Sequence, residues 1–357
     1  MSEPLHPDTR AIHADDGIEP ASDVAPPIHV ATTFTAGDPA GTFYSRIDQP
    51  TRQRLEAVLG ALDGGEAITY SSGLAAVTAA ISVLRPKRVA IGRGGYFGTQ
   101  GAVDAFVPWG VEKVPLDAPV GEGDVIWLET PLNPTCELQG IAAHAARAAA
   151  AGARLVVDGT FATPILQRPL DLGADLVLHS TSKYLSGHSD ALGGVLVARS
   201  HTLAKRLRDA RTYSGSVPGS LETWLTLRGV RTLGLRVRHQ TATATALAAW
   251  LEPRVAKVWH PSLRSHPNHD LAERQMRGPG PMLSIELANE EAAQELPRHL
   301  KLFRDATSLG GVESLIEWRY KLDKQAPPAL LRVSVGLEEP EDLIADLAQG
   351  LSKVAAR

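Results

Sequence analysis

Arg154-Leu155-Val156-Val157-Asp158 and, further on, Asp175-Leu176-Val177-Leu178-His179-Ser180-Thr181-Ser182-Lys183 are the stretches whose reading decides the fold. Each is a short apolar run that ends in polar residues. A run that is apolar at every position, not at alternate ones, reads as a strand buried on both faces. The 25 residues from Asp158 to Lys183 are enough for one crossover, so both polar ends fall on the same rim of a parallel sheet.

The same pattern extends to either side. Ala67–Tyr70, Arg88–Ile91, Asp124–Leu128 and Gly194–Ala198 are further strand candidates. Helix candidates lie between them, notably Leu74–Leu84 and the alanine-rich Ile141–Ala151. Thr51–Leu62 reads as a helix because Pro50 precedes it and Gly64-Gly65 follows it. This alternation predicts an α/β domain with a mostly parallel sheet and helices on both faces. The first ~40 residues, rich in proline and threonine, read as an extended arm. Ser220–Leu251 is one long helical stretch that bridges two domains. Beyond Pro253 come strand-like Met282–Glu286, Leu300–Phe303 and Leu330–Val335, with helices near Glu290–Leu300 and Pro340–Leu351. They form a smaller α+β domain. The expected division is an arm over 1–45, a large domain over 46–235 and a C-terminal domain over 236–357.

Length and composition agree with this plan. A chain of 357 residues exceeds what one core usually serves. With 43% hydrophobic and 21% charged residues it is globular, and a net charge of -4 gives no pull toward nucleic acid or an anionic membrane. Cys136, the one cysteine, cannot form an internal disulfide and reads as an inert loop thiol of a reducing compartment. Met1–Arg10 has no apolar run, and no stretch reaches the ~20 apolar residues of a membrane span, so a cytoplasmic protein is expected.

Ligands of open α/β sheets bind where the parallel strands end. Asp158 and Lys183 on one rim could be a plain salt bridge. Two features argue for more. Lys183 lies in Ser180-Thr181-Ser182-Lys183-Tyr184-Leu185-Ser186-Gly187-His188-Ser189-Asp190, a run poor for packing and good for hydrogen-bonding an anion. A second hydroxyl–glycine turn, Ser71-Ser72-Gly73-Leu74, follows a strand and opens a helix, which is a phosphate site in the making. A lysine, a carboxylate and a phosphate cradle together are what pyridoxal phosphate (PLP) requires. His179 and His188 match no metal-ligand spacing, and no metal is expected.

These stretches, with Tyr44-Ser45-Arg46, Tyr70–Ala76, Glu129-Thr130-Pro131-Leu132-Asn133-Pro134, Val157–Pro164, Ser308–Glu317 and Leu331–Asp346, resemble the cystathionine γ-synthase/γ-lyase family of fold type I PLP enzymes. The resemblance runs from about Thr9 to the C-terminus. It implies that Lys183 carries the cofactor covalently and acts as the base, and that Asp158 pairs with the ring nitrogen. Gly73, Leu74, Ser180 and Ser182 would hold the phosphate, helped by Tyr44 and Arg46 from a neighbouring subunit of a homodimer or homotetramer. Tyr96 would stack on the ring and assist proton transfer, and Asn133 would bond near the ring hydroxyl. Arg332, with Ser308 and Asn133 beside it, would clamp the carboxylate of an amino-acid substrate. The implied activity is carbon–sulfur bond chemistry, foremost a cystathionine lyase with γ- above β-elimination, with cystathionine γ-synthase as the alternative.

The chain departs from that family in places. Gly159 and Ser182 stand where asparagine and threonine are usual, Phe97 replaces a glycine, and Gly98 replaces the cysteine of methionine γ-lyases. Thr307 stands where many members have glutamate, and Trp318–Pro328 is a shortened connection. Gly92-Arg93-Gly94-Gly95-Tyr96-Phe97-Gly98 also suggests a nicotinamide-binding loop, but Phe97 occupies the third glycine position of that fingerprint. A non-catalytic module on this fold would lack Lys183, Asp158 or Arg332, and all three are present.

Overall fold

Val125, Trp127 and Val156 pack on one face of the larger sheet, while Ile126, Leu128, Leu155 and Val157 pack on the other. That alternation between two cores is why these runs are apolar at every position. The computed structural model describes residues 5–18, 23–37 and 42–355. Its first sheet contains β1 (Glu66–Tyr70), β2 (Arg88–Ile91), β3 (Glu112–Pro115), β4 (Val125–Glu129), β5 (Arg154–Asp158), β6 (Leu176–Ser180) and β7 (Gly194–Ala198). Their order is β1-β7-β6-β5-β4-β2-β3. β7 runs antiparallel to both neighbours, and the other pairs are parallel.

Helices cover both faces. Gly73–Leu84 is capped by the Ser72 hydroxyl, which accepts from the Ala75 N–H at 3.0 Å, and it buries Ala76, Val77, Ala80 and Ile81. Ile141–Ala151 matches its expected bounds and ends at Gly152 in the left-handed conformation. The expected helix 51–62 spans Pro50–Asp63.

Three expectations need correction, and one strand went unread. Ser220–Leu251 is two helices, Ser220–Val230 and Leu233–Leu251, interrupted at Arg231-Thr232. The second does bridge: Leu233 and Val237 join the core of the large sheet, and Ala244, Leu247 and Leu251 join that of the second sheet. The arm is not extended throughout, because Pro7–His13 is a helix that buries Ala11. Arm residues 1–4, 19–22 and 38–41 lie outside the described residues. Leu300–Phe303 is not a strand. β3 was not legible, since Glu112 and Lys113 are exposed at the sheet edge.

The second sheet comprises β8 (Lys257–Trp259), β9 (Met282–Glu286), β10 (Arg304–Asp305), β11 (Leu315–Trp318) and β12 (Leu330–Ser334), in the order β10-β11-β12-β9-β8. Apart from the parallel β10–β11 pair it is antiparallel. Helices Glu290–His299 and Pro340–Ala355 pack against it, giving the smaller α+β unit.

Candidate active site

The carboxyl ends of β4, β5 and β6 lie side by side, with Glu129 opposite Asp158 and Asp158 opposite Leu178. A cleft of about 230 Å³ opens there. Gly73, Leu74, Tyr96, Asn133, Asp158, Ser180, Ser182 and Lys183, scattered over 110 positions of sequence, all line it. Two glycines set its narrow end. A Cβ on Gly194 would lie 2.4 Å from the Ser72 carbonyl, and one on Gly73 would meet the Ser180 Cβ at 3.3 Å. The two hydroxyl-rich turns therefore close around one spot, at the N-terminus of helix Gly73–Leu84. Ser182 Oγ accepts from the Gly193 N–H at 2.9 Å, which fixes the turn before Lys183.

Lys183 is largely buried, and its Nζ donates to Ser308 Oγ at 2.8 Å. Burial first, then the Arg332 charge, lower its pKa to about 8, against a partial pull upward from Glu317. Such a lysine gives up its proton about two pH units more readily than a solvated one. Asp158 is buried, with Oδ1 accepting from the Thr160 N–H at 2.9 Å. Burial raises its pKa, while the Thr160 bonds and the charge of His179 oppose the rise. His179 is itself buried, 3.0 Å from Asp63, and is structural as the sequence suggested. Cys136 is buried, and burial pushes its thiol up to about 12.

Arg332 and Ser308 do not line the cleft itself but join it through Asn133 and Lys183. Arg332 Nη1 donates to Asn133 Oδ1 at 3.2 Å and its Nη2 to the Ser308 carbonyl at 2.9 Å. Ser308 thus holds the lysine through its hydroxyl and the arginine through its carbonyl. It does so at φ 81°, a backbone region costly for a residue with a Cβ.

The sequence reading missed three groups. Glu317 lies opposite Arg332 in the β11–β12 register and pairs with it at 2.5 Å, so Arg332 has an internal anion that no linear pattern shows. Arg319 pairs with the same Glu317 oxygen at 3.4 Å. Glu129 accepts from the Tyr96 N–H at 2.7 Å and the Asn133 N–H at 2.9 Å, and so holds two of the site loops. Burial and the adjacent Asp158 push Glu129 far above the ordinary carboxylate range. The visible signal for Glu129 was its place at a strand end.

Tyr96 lies at the mouth with its ring against Gly98, where a Cβ would come within 2.5 Å of the ring. Tyr44 and Arg46 are not in the cleft of their own chain. The Arg46 guanidinium lies 5.4 Å from the Tyr44 ring centroid, and its Nη1 donates to the Thr212 carbonyl at 3.5 Å.

A lysine poised to be neutral, a buried carboxylate one strand away and a glycine-lined anion cradle fit PLP. The model of the Cys/Met metabolism PLP-dependent enzymes matches residues 8–352. The chain belongs to that family. It is 42% identical to the cystathionine γ-synthase of Mycobacterium tuberculosis, across 97% of this chain and 96% of that protein. It is 37% identical to the cystathionine γ-lyase of Bacillus subtilis (95% and 97% covered) and to the cystathionine β-lyase of Lactococcus lactis (97% and 98%). The structure of metB from Corynebacterium glutamicum superposes with a TM-score of 0.93 at 36% identity, covering 98% of each chain. This member of the Cys/Met family is thus a PLP-dependent enzyme of carbon–sulfur chemistry with the type I fold, and the nicotinamide reading of Gly92–Gly98 falls away. That loop instead carries Tyr96, with Gly92 and Gly94 carbonyls held by Gln100. Among the described residues no helix is long and apolar enough to cross a membrane.

Proposed function

We propose that the enzyme cleaves cystathionine at Cγ, taking up water and yielding cysteine, 2-oxobutanoate and ammonia. The observation that carries this reading is the shared tether at Ser308. Through it the lysine amine and the arginine fork face one another across a single residue, as removal of a proton next to a clamped carboxylate requires.

In this reading Lys183 is the cofactor's attachment point, Asp158 the partner of its ring nitrogen, and Gly73, Leu74, Ser180 and Ser182 the phosphate cradle. When bound, PLP supplies an electron sink for the charge left at the substrate's Cα. Arg332 and Asn133 orient the substrate carboxylate, with Ser308 fixing the arginine. Lys183 Nζ would take the Cα proton, give it up again within the conjugated system that the bound cofactor supplies, and only then, neutral once more, take a Cβ proton. The Cγ–S bond breaks next, and Tyr96 at the mouth is placed to give the departing sulfur a proton. Tyr44 and Arg46, remote from their own cleft, serve a neighbouring subunit of a homotetramer, and the enzyme is cytoplasmic.

A second reading, γ-replacement by cysteine on an O-acylated homoserine, is favoured by the 42% identity to the mycobacterial γ-synthases. Product analysis separates the two. Cystathionine alone should give cysteine and 2-oxobutanoate in equal amounts. Homocysteine and pyruvate would mean β-elimination, and turnover only of O-acylhomoserine with cysteine would mean the synthase.

A further inference from the structure

Arg332 is buried, yet it meets Glu317 before any substrate arrives. An arginine already neutralised by a carboxylate has little net attraction for a second one. The structure contains a remedy for this. Glu317 Oε2 lies 2.5 Å from Arg332 Nη2 and 3.4 Å from Arg319 Nη1, so one carboxylate is shared by two guanidinium groups. All three side chains are buried. We propose that Arg319 is a positioning residue for the carboxylate clamp: by sharing Glu317 it leaves the Arg332 side with a net positive charge for the incoming substrate carboxylate. This rests on the reading of Arg332 as the substrate clamp.

Several features support the role. Arg319 stands two residues beyond Glu317, immediately after β11, where the shortened connection turns into a single helical turn over Arg319–Lys321. Trp318 Nε1 pins that turn by donating to the Pro328 carbonyl at 2.8 Å. Phe97, unusual at its position, presents its ring 5.9 Å from the Arg319 guanidinium. Among the described residues no carboxylate other than Glu317 forms an ion pair with Arg319. Glu129 feels Arg319, but burial and Asp158 hold its carboxyl toward the neutral form, and its oxygens are taken by two backbone N–H groups. The Arg319 guanidinium also disfavours charge on Arg332, after burial, which is the larger cause. Glu317 Oε1 and Arg319 Nε and Nη2 have no hydrogen-bond partner among the described residues. Two of the Arg319 donors are thus left unpaired, so Glu317 satisfies that guanidinium only in part.

The test is equilibrium binding to the holoenzyme, measured by calorimetry. One probe is 4-(methylsulfanyl)butanoate, which keeps a thioether and a carboxylate and has no amino group to react. The other is its neutral amide. Arg319→Gln should weaken the acid about tenfold while moving the amide less than about twofold. Glu317→Gln should tighten the acid, and the double variant should return it close to the wild-type value, because the net charge is restored. Weakening of both probes alike, or a double variant worse than either single one, marks a merely structural arginine and overturns the proposal. If Arg319→Gln does not fold, Glu317→Gln decides alone, and unchanged or weaker binding of the acid overturns it. Arg332→Lys is measured in parallel. Loss of acid binding there without loss in Arg319→Gln overturns only the role of Arg319. Loss in neither overturns the clamp reading as well.

Discussion

Lys183 is held at a cost, and the cost has a sign. An unfolded lysine has a pKa near ~10.4, while burial and Arg332 bring the folded one to about 8. Between those values the unfolded chain binds more protons, so this residue's contribution to stability rises with pH across that window. Below about pH 8 the folded protein carries a buried ammonium. Lys183→Met in the cofactor-free protein should therefore be more stable than wild type at pH 7 by about 2 kcal/mol, and the gap should close near pH 10.5. Urea unfolding at the two pH values measures this, and equal stability at pH 7 would contradict the account. Asp158→Asn should fold normally and lower kcat by about a hundredfold or more, since an amide cannot stabilise a protonated ring nitrogen. A full rate in that variant would assign the partner elsewhere. Arg332→Lys should raise KM about tenfold or more, because an ammonium cannot reproduce a planar two-point fork. Asp158 and Lys183 stood out in the sequence because the first ends an apolar strand and the second lies three residues beyond one. Glu317 and Arg319 did not, because their relation to Arg332 exists only across the β11–β12 register.

Among the elements, the turn before helix Gly73–Leu84 depends on Gly194 at the start of β7. Gly194→Ala would drive a Cβ into the Ser72 backbone, which cannot rotate aside. It should cost about 2 kcal/mol or more and weaken cofactor retention, read as a lower Tm and a higher Kd for PLP. Gly101→Ala, in helix Phe97–Asp104 with nothing within 4 Å of its Cβ, should instead be neutral or stabilising by about 0.5 kcal/mol. The strands that feed two cores were readable because burial on both faces leaves no polar position. β3 was unreadable for the opposite reason, since its exposed edge tolerates Glu112, Lys113 and Pro115. The interruption at Arg231-Thr232 was hidden because neither residue is a glycine or a proline. β12 was readable from its apolar run, whereas β11, Leu315–Trp318, is a short run that follows only once its partner strands are known.

At the scale of the molecule, two sheets share the long helix Leu233–Leu251, and Ser308 ties Lys183, beyond the end of β6, to Arg332 on β12. The division at 235/236 remains our proposal for where the units meet. If Tyr44 and Arg46 complete a neighbour's site, inactive Lys183→Ala and inactive Arg46→Ala proteins should regain part of their activity after subunit exchange, because some mixed dimers hold one intact site. No recovery after verified exchange would mean that each chain builds its site alone. Whatever the assembly, the account stands on one side chain. Other lysines of the chain, such as Lys113 and Lys205, meet surface carboxylates, whereas Lys183 faces the cleft. The most direct measurement is borohydride reduction of the holoenzyme followed by proteolysis and mass analysis of the peptides. The cofactor's mass should appear on the peptide containing Lys183 and vanish in Lys183→Ala. Label on another lysine, or none at all, would contradict the account.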